Sequence, residues 1–187
     1  MVKARQIAPL AFSLVAMPLA LASAGTLTAC DGGGSGGEGG AADECFDYSA
    51  FKGDAPVASF KTDVLPIFRQ SCGVSTSCHQ SQSATDPAQH FLGPSKSMPD
   101  PDAMTIQAIF DGSVGVTAEK EPAMKVIDPG KPESSFLMYK LDGVKCADLK
   151  CAADNKCGTR MPQSSPQLTE AERDTIRRWI KQGAMNN

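Results

Sequence analysis

Apolar positions recur at helical spacing in four stretches of the chain, and the two-residue alternation of a half-buried strand is nearly absent. The first stretch runs from Lys61 to Cys72. Val64, Leu65, Ile67 and Phe68 make its apolar face, Thr62 or Asp63 can cap it, and Pro66 falls in its first turn. The second runs from Ala103 to Asp111, with Asp102 as cap and Met104, Ile106, Ala108, Ile109 and Phe110 to bury. The third is Ser135 to Leu141, with Ser134 as cap and Gly143 behind it. The fourth follows Thr169, an N-cap with Glu172 three residues on, which is a capping box. Its Ile176, Trp179 and Ile180 share one stripe, Arg177, Arg178 and Lys181 suit the negative end of the helix, and Gly183 stops it. The pattern predicts an all-α fold with Trp179 in its core.

Between these helices the chain is rich in Pro, Gly, Ser and Asp. Gln80 to Pro101 and Val144 to Pro166 read as long loops, which in a small domain wrap a ligand or are pinned by disulfides. Asp111, Asp128 and Asp142 read as turn or cap residues. No internal repeat is visible.

The N-terminus carries a different pattern. Lys3 and Arg5 precede an apolar run from Ile7 to Leu21, and small residues follow at Ala22 to Gly25. The run is short and broken by Pro9 and Pro18, which favours a secretory signal over a membrane span. Leu27-Thr28-Ala29-Cys30 resembles a bacterial lipobox, which implies cleavage before Cys30 and lipidation of its sulfur. The competing reading is cleavage near Ala24, with Cys30 an ordinary thiol. Seven of the 17 glycines lie between Asp31 and Gly40, in a segment too polar and too glycine-rich to fold. The organisation expected is a signal peptide over 1–29, a lipid-anchor Cys and flexible linker over 30–54, and one folded domain over 55–187. The protein is then exported and held by lipid on a membrane, facing the periplasm or the cell surface.

Composition narrows the function. The formal charge of −3 becomes −5 once Lys3 and Arg5 are removed, which argues against a basic nucleic-acid binder. The 187 residues exclude a large multidomain enzyme, and the patterning excludes a coiled coil or a polytopic membrane protein. With Cys30 lipidated, six cysteines remain: Cys45, Cys72, Cys78, Cys146, Cys151 and Cys157. An even number in an exported protein points to disulfides. Proximity favours Cys72 with Cys78 and a pair among Cys146, Cys151 and Cys157, leaving Cys45 for the last thiol. A bridge with both ends in Val144 to Arg160 would brace the loop ahead of Met161.

The chemistry-bearing string is Ser71-Cys72-Gly73-Val74-Ser75-Thr76-Ser77-Cys78-His79, directly after the first helix. A Cys-His pair at such a junction is the arrangement of covalent haem attachment, where thioethers fix the porphyrin edge and the adjacent His binds iron. Ser75 stands where the first attachment Cys usually does, so the spacing here is Cys-x5-Cys-His. Three further segments follow in order. Val126-Ile-Asp-Pro-Gly-Lys-Pro-Glu-Ser-Ser-Phe-Leu137 opens the third helix. Met161-Pro162 precedes Leu168-Thr-Glu-Ala-Glu172, and Trp179-Ile-Lys-Gln-Gly-Ala184 closes the chain. With Phe60 to Phe68 ahead of Cys78-His79, the whole of residues 60–184 resembles the cytochrome c-like domain of exported bacterial proteins.

That resemblance implies haem c and electron transfer to a redox partner protein, with no substrate bond changed and so no enzyme activity. It makes His79 the proximal iron ligand and Met161 the distal one, on a loop stiffened by Pro162. Cys78 would hold one vinyl carbon, and Cys72 would reach the other or pair with another Cys. Met98-Pro99 has the same local form as Met161-Pro162 but lies 19 residues after His79, on a polar loop, without the strongly capped helix that follows Met161. His90 reads as a surface loop residue, with bis-His ligation as an option. A zinc site would need two His and thiolates that exported proteins tend to oxidise. Two other classes stay open: a haemless, disulfide-stapled binding or structural module of the same fold, and a haem sensor or peroxidase-like enzyme if the distal Met is displaced. No Ser/His/Asp triad, phosphate loop or catalytic carboxylate pair is legible.

Overall fold

The computed structural model describes residues 46–82, 86–143, 151, 157–163 and 165–187. The signal region, Cys30, the glycine tether, Cys45 and Cys146 lie outside the described residues. Among the described residues there are four α-helices and no strand: α1 (Leu65–Ser71), α2 (Ala103–Ser113), α3 (Phe136–Asp142) and α4 (Glu170–Lys181). Three isolated bridges join the loops, Val114 to Ile127, Thr117 to Lys125 and Lys125 to Ser135. No described helix is long and apolar enough to cross a membrane.

The first helix begins earlier and differently than its sequence predicts. A wide turn, Phe60–Val64, leads into α1, and its cap is Ser59 rather than Thr62 or Asp63. The Ser59 hydroxyl accepts from the Thr62 N–H, and the Asp63 carboxylate accepts from the Ser59 N–H at 2.8 Å. Pro66 sits in the first turn of α1, where its missing N–H is not needed. Phe60, Val64, Leu65 and Phe68 are buried. In α4 the capping box forms as the spacing predicts, with Thr169 and Glu172 each accepting the other's backbone N–H.

Trp179, 1% exposed, is the hub between α1 and α4. Phe60, Phe110 and Phe68 surround it at 5.3, 6.0 and 6.4 Å between ring centroids. Its indole N–H donates to the Met185 carbonyl at 2.9 Å. The chain can fold back there because Gly183 takes a positive φ of +101°, which lets the Ala184 N–H reach the Trp179 carbonyl. The two ends of the domain then close on each other. Gln182 bonds the backbone of Gly53, Pro56 and Ala58, and Asn187 bonds that of Phe60 and Lys61.

Three residues take roles other than those expected. Ser135, not Ser134, precedes α3, and its buried hydroxyl ties the Asp128 N–H to the Lys131 carbonyl rather than capping the helix. The first amides of α3 are satisfied instead by the carbonyls of Lys125 and Val126. Asp142, expected in a turn or cap, is a buried anchor that accepts from Arg177 at 2.7 and 2.8 Å, with Arg173 3.0 Å away. Arg177, expected to complement the negative end of the helix, is 1% exposed. Its guanidinium also bonds Asp174 and lies 3.4 Å from the centre of the Phe46 ring, with Tyr48 and Phe51 at 5.6 Å. A buried cation is tolerated only when paired and hydrogen-bonded, and this network supplies both. Burial pushes the Tyr48 hydroxyl up to about 12. Among the described residues, packing onto the domain therefore includes Phe46, Tyr48 and Phe51, which lie in the segment expected as linker.

Candidate functional site

The Cys72–His79 loop leaves α1 and closes on itself. The amides of Cys72 and Gly73 both reach the Phe68 carbonyl, Cys78 and Gln80 both reach the Ser75 carbonyl, and His79 bonds back to the Cys72 carbonyl at 3.1 Å. Position 73 must be glycine, because a Cβ there would collide with the Gly93 carbonyl oxygen. The five residues between the cysteines are thus a hydrogen-bonded bulge, packed against the chain at Gly93.

His79 is held firmly. Its Nδ1 lies 2.7 Å from the His90 carbonyl oxygen, and its own carbonyl accepts from the Leu92 N–H. A carbonyl only accepts, so Nδ1 carries the proton and the lone pair of the neutral ring is on Nε2. Burial holds the His79 pKa below its ordinary value; the charges of His90 and Lys140 act in the same direction, while the His90 hydrogen bond opposes it. His90, expected as a surface loop residue, is partly buried, with Nδ1 2.9 Å from the Gly112 carbonyl and its pKa also lowered by burial. The two histidines link the Cys72–His79 loop, the segment before Leu92 and the end of α2.

The Met161 loop is tied to Lys140 of α3. The Met161 N–H donates to the Lys140 carbonyl at 2.6 Å, and the Lys140 ammonium donates to the Cys157 carbonyl at 2.8 Å. Burial brings the Lys140 pKa down to about 8, with the Lys120 charge adding to it. Met161 is partly buried and packs on the core. Just ahead of it Cys151 and Cys157 form a disulfide, a bridge with both ends inside Val144–Arg160.

Met98 is 44% exposed, with its sulfur 2.8 Å from Gln80 Nε2. Its loop is pinned by hydrogen bonds and not the loosely held polar segment its composition implies. Buried Arg69 donates to the carbonyls of Pro94, Ser95, Met98 and Pro99 and pairs with Asp100. A helix does follow, since α2 starts at Ala103.

The cysteines depart most from expectation. Cys72 and Cys78 do not pair. Cys72 is a free thiol, 7% exposed in the apolar core, and burial pushes its pKa up to about 12. It points into the core because it ends the buried face of α1, and the loop it opens is closed by backbone bonds instead. Cys78 is disulfide-bonded, to a partner outside the described residues.

These residues fit one part of a haem site. His79 has the tautomer, the neutrality and the carbonyl tether that orient an axial imidazole, and Met161 offers a soft thioether on a braced loop. Among the described residues no group of three or more His, Cys, Asp or Glu gathers as a shell for a bare metal ion. Arg69, Lys140 and Arg177 organise the loops and the terminal clasp, yet each reads in the sequence as an ordinary surface cation. Only the buried apolar neighbours of Arg69 (Leu65 and Phe68) and of Arg177 (Ile176) hinted otherwise. No protein-family model, no curated protein and no solved structure matches the chain.

Proposed function

We propose that this protein is an extracytoplasmic electron carrier, held on a membrane by lipid at Cys30 and a glycine tether, with a haem iron bound between His79 and Met161. The observation that carries the reading is the His79 Nδ1 bond to the His90 carbonyl at 2.7 Å. It fixes the ring and, in the neutral imidazole, puts the proton on Nδ1, which leaves the Nε2 lone pair for a metal and raises its basicity, as orienting hydrogen bonds do for metal-bound histidines. Haem would supply a one-electron couple. The chain's own contribution is to hold the two ligands. The Cys157 carbonyl, Lys140 and the Cys151–Cys157 bridge restrain the loop that carries Met161. A neutral thioether favours ferrous iron, so Met161 would set a higher potential than an open or bis-His site. The tether lets the domain reach a redox partner protein away from the anchor.

The test compares two methionines. Met161→Ala should abolish the weak sulfur-to-iron charge-transfer band of the ferric protein and lower its potential. Met98→Ala should leave both intact. The reverse pattern reassigns the ligand, and no change in either variant points to His90 or an open site, the arrangement of a sensor or peroxidase-like protein.

The disulfide at Cys78 favours a second reading, a haemless stapled module of the same plan at the cell surface. Protein that stays colourless with haem supplied would select it.

A further inference from the structure

Resting on the electron-transfer reading above, we infer that this domain holds its haem without covalent attachment, with no thioether bond to Cys72 or Cys78. Forming a thioether adds a thiol across a vinyl group: sulfur bonds one vinyl carbon, the S–H proton goes to the other, and the C=C double bond becomes single. The reaction therefore needs a sulfur that bears hydrogen and can reach the porphyrin edge. Neither cysteine of the motif provides one. The Cys78 sulfur is already bonded to another sulfur, and it would have to take up two electrons from a dithiol reductant before it carried a proton again. The Cys72 sulfur does carry hydrogen, but it is 7% exposed among the apolar side chains of the core that Leu65, Phe68 and Leu92 share.

The bulge between them makes the same point from the backbone. In the usual attachment motif two residues separate the cysteines, which brings both sulfurs to one porphyrin edge. Here Ser75 occupies that position, and its hydroxyl donates to the Cys78 sulfur at 3.3 Å. Its carbonyl accepts from Cys78 and Gln80. Ser75 thus braces the paired sulfur, and Cys72 turns away at the end of the buried face of α1. The ligand group that remains on the loop is the His79 imidazole. A haem held this way enters after export without attachment machinery, and it leaves when the fold is lost.

The experiment uses the full chain, expressed in an exporting host with a cytochrome maturation system and, separately, without one but with hemin added to the purified protein. Both preparations should show a Soret band at one haem per chain. Acid and organic solvent should then strip all of the colour, leaving a polypeptide whose intact mass carries no haem increment. Peptide mapping should recover Cys78 in a disulfide and Cys72 alkylated only under denaturing conditions. Cys72→Ala should keep the full haem complement. Haem retained on the polypeptide after extraction, in the matured preparation, overturns this inference and leaves the electron-transfer reading standing. Absence of haem from both preparations removes that reading and this inference with it.

Discussion

Around Trp179 the chain is held by aromatic rings and a buried ion network, whereas around His79 it is held by backbone carbonyls and sulfur. The first region joins α1, α4 and both ends of the domain through Phe60, Phe68, Phe110 and the Arg177–Asp142 pair. The second joins three loops through His79 to His90, His90 to Gly112, Lys140 to Cys157 and the Cys151–Cys157 bridge. Apolar burial scales with area and stabilises the whole fold. Hydrogen bonds between loops add little net stability, but they fix direction. One region is held by packed rings and ion pairs, the other by directed hydrogen bonds between loops.

The largest test of this contrast is Trp179→Ala. It removes the ring that Phe60, Phe68 and Phe110 pack on, and it should cost about 4 kcal/mol of stability, within the usual range for deleting a buried Trp. Denaturant unfolding of the variant measures it. A loss below about 1 kcal/mol, the level of a surface substitution, would mean that the ring cluster is not the support.

Replacing Cys151 and Cys157 together by Ala should cost less, about 2 kcal/mol, because the bridge closes a short loop and restrains mainly the unfolded chain. The same denaturant experiment applies. An equal or larger loss than for Trp179→Ala would reverse the contrast between the two regions.

The regions also differ in how far they can be read without coordinates. The start of α2 and the bounds of α4 follow from Asp102, Thr169, Glu172 and Gly183, because caps and periodicity are local facts, while α2 runs on past Asp111 to Ser113. Trp179 in the core follows from its stripe with Ile176 and Ile180. The start of α1 does not, since Ser59 caps a wide turn that no local signal distinguishes from the Thr62 or Asp63 alternatives. Asp142 and Arg177 lie 35 residues apart, and nothing in either neighbourhood announces the pair. At the candidate site, His79 and Met161 are legible as residue types in a motif. The His90 carbonyl, the Lys140 ammonium and the fate of the two motif cysteines are set by tertiary packing. Proximity in sequence favoured Cys72 with Cys78, but the helix face on which Cys72 ends turned it inward.

Haem binding through His79 is tested by the haem content of the wild-type protein against His79→Ala. Both proteins should be loaded identically and checked for equal helix content by circular dichroism. One haem per chain and a six-coordinate low-spin spectrum are expected in the wild type, with loss of that spectrum in a variant that stays folded. A wild-type protein that takes up no haem, or a folded His79→Ala variant that keeps the wild-type spectrum, would contradict it.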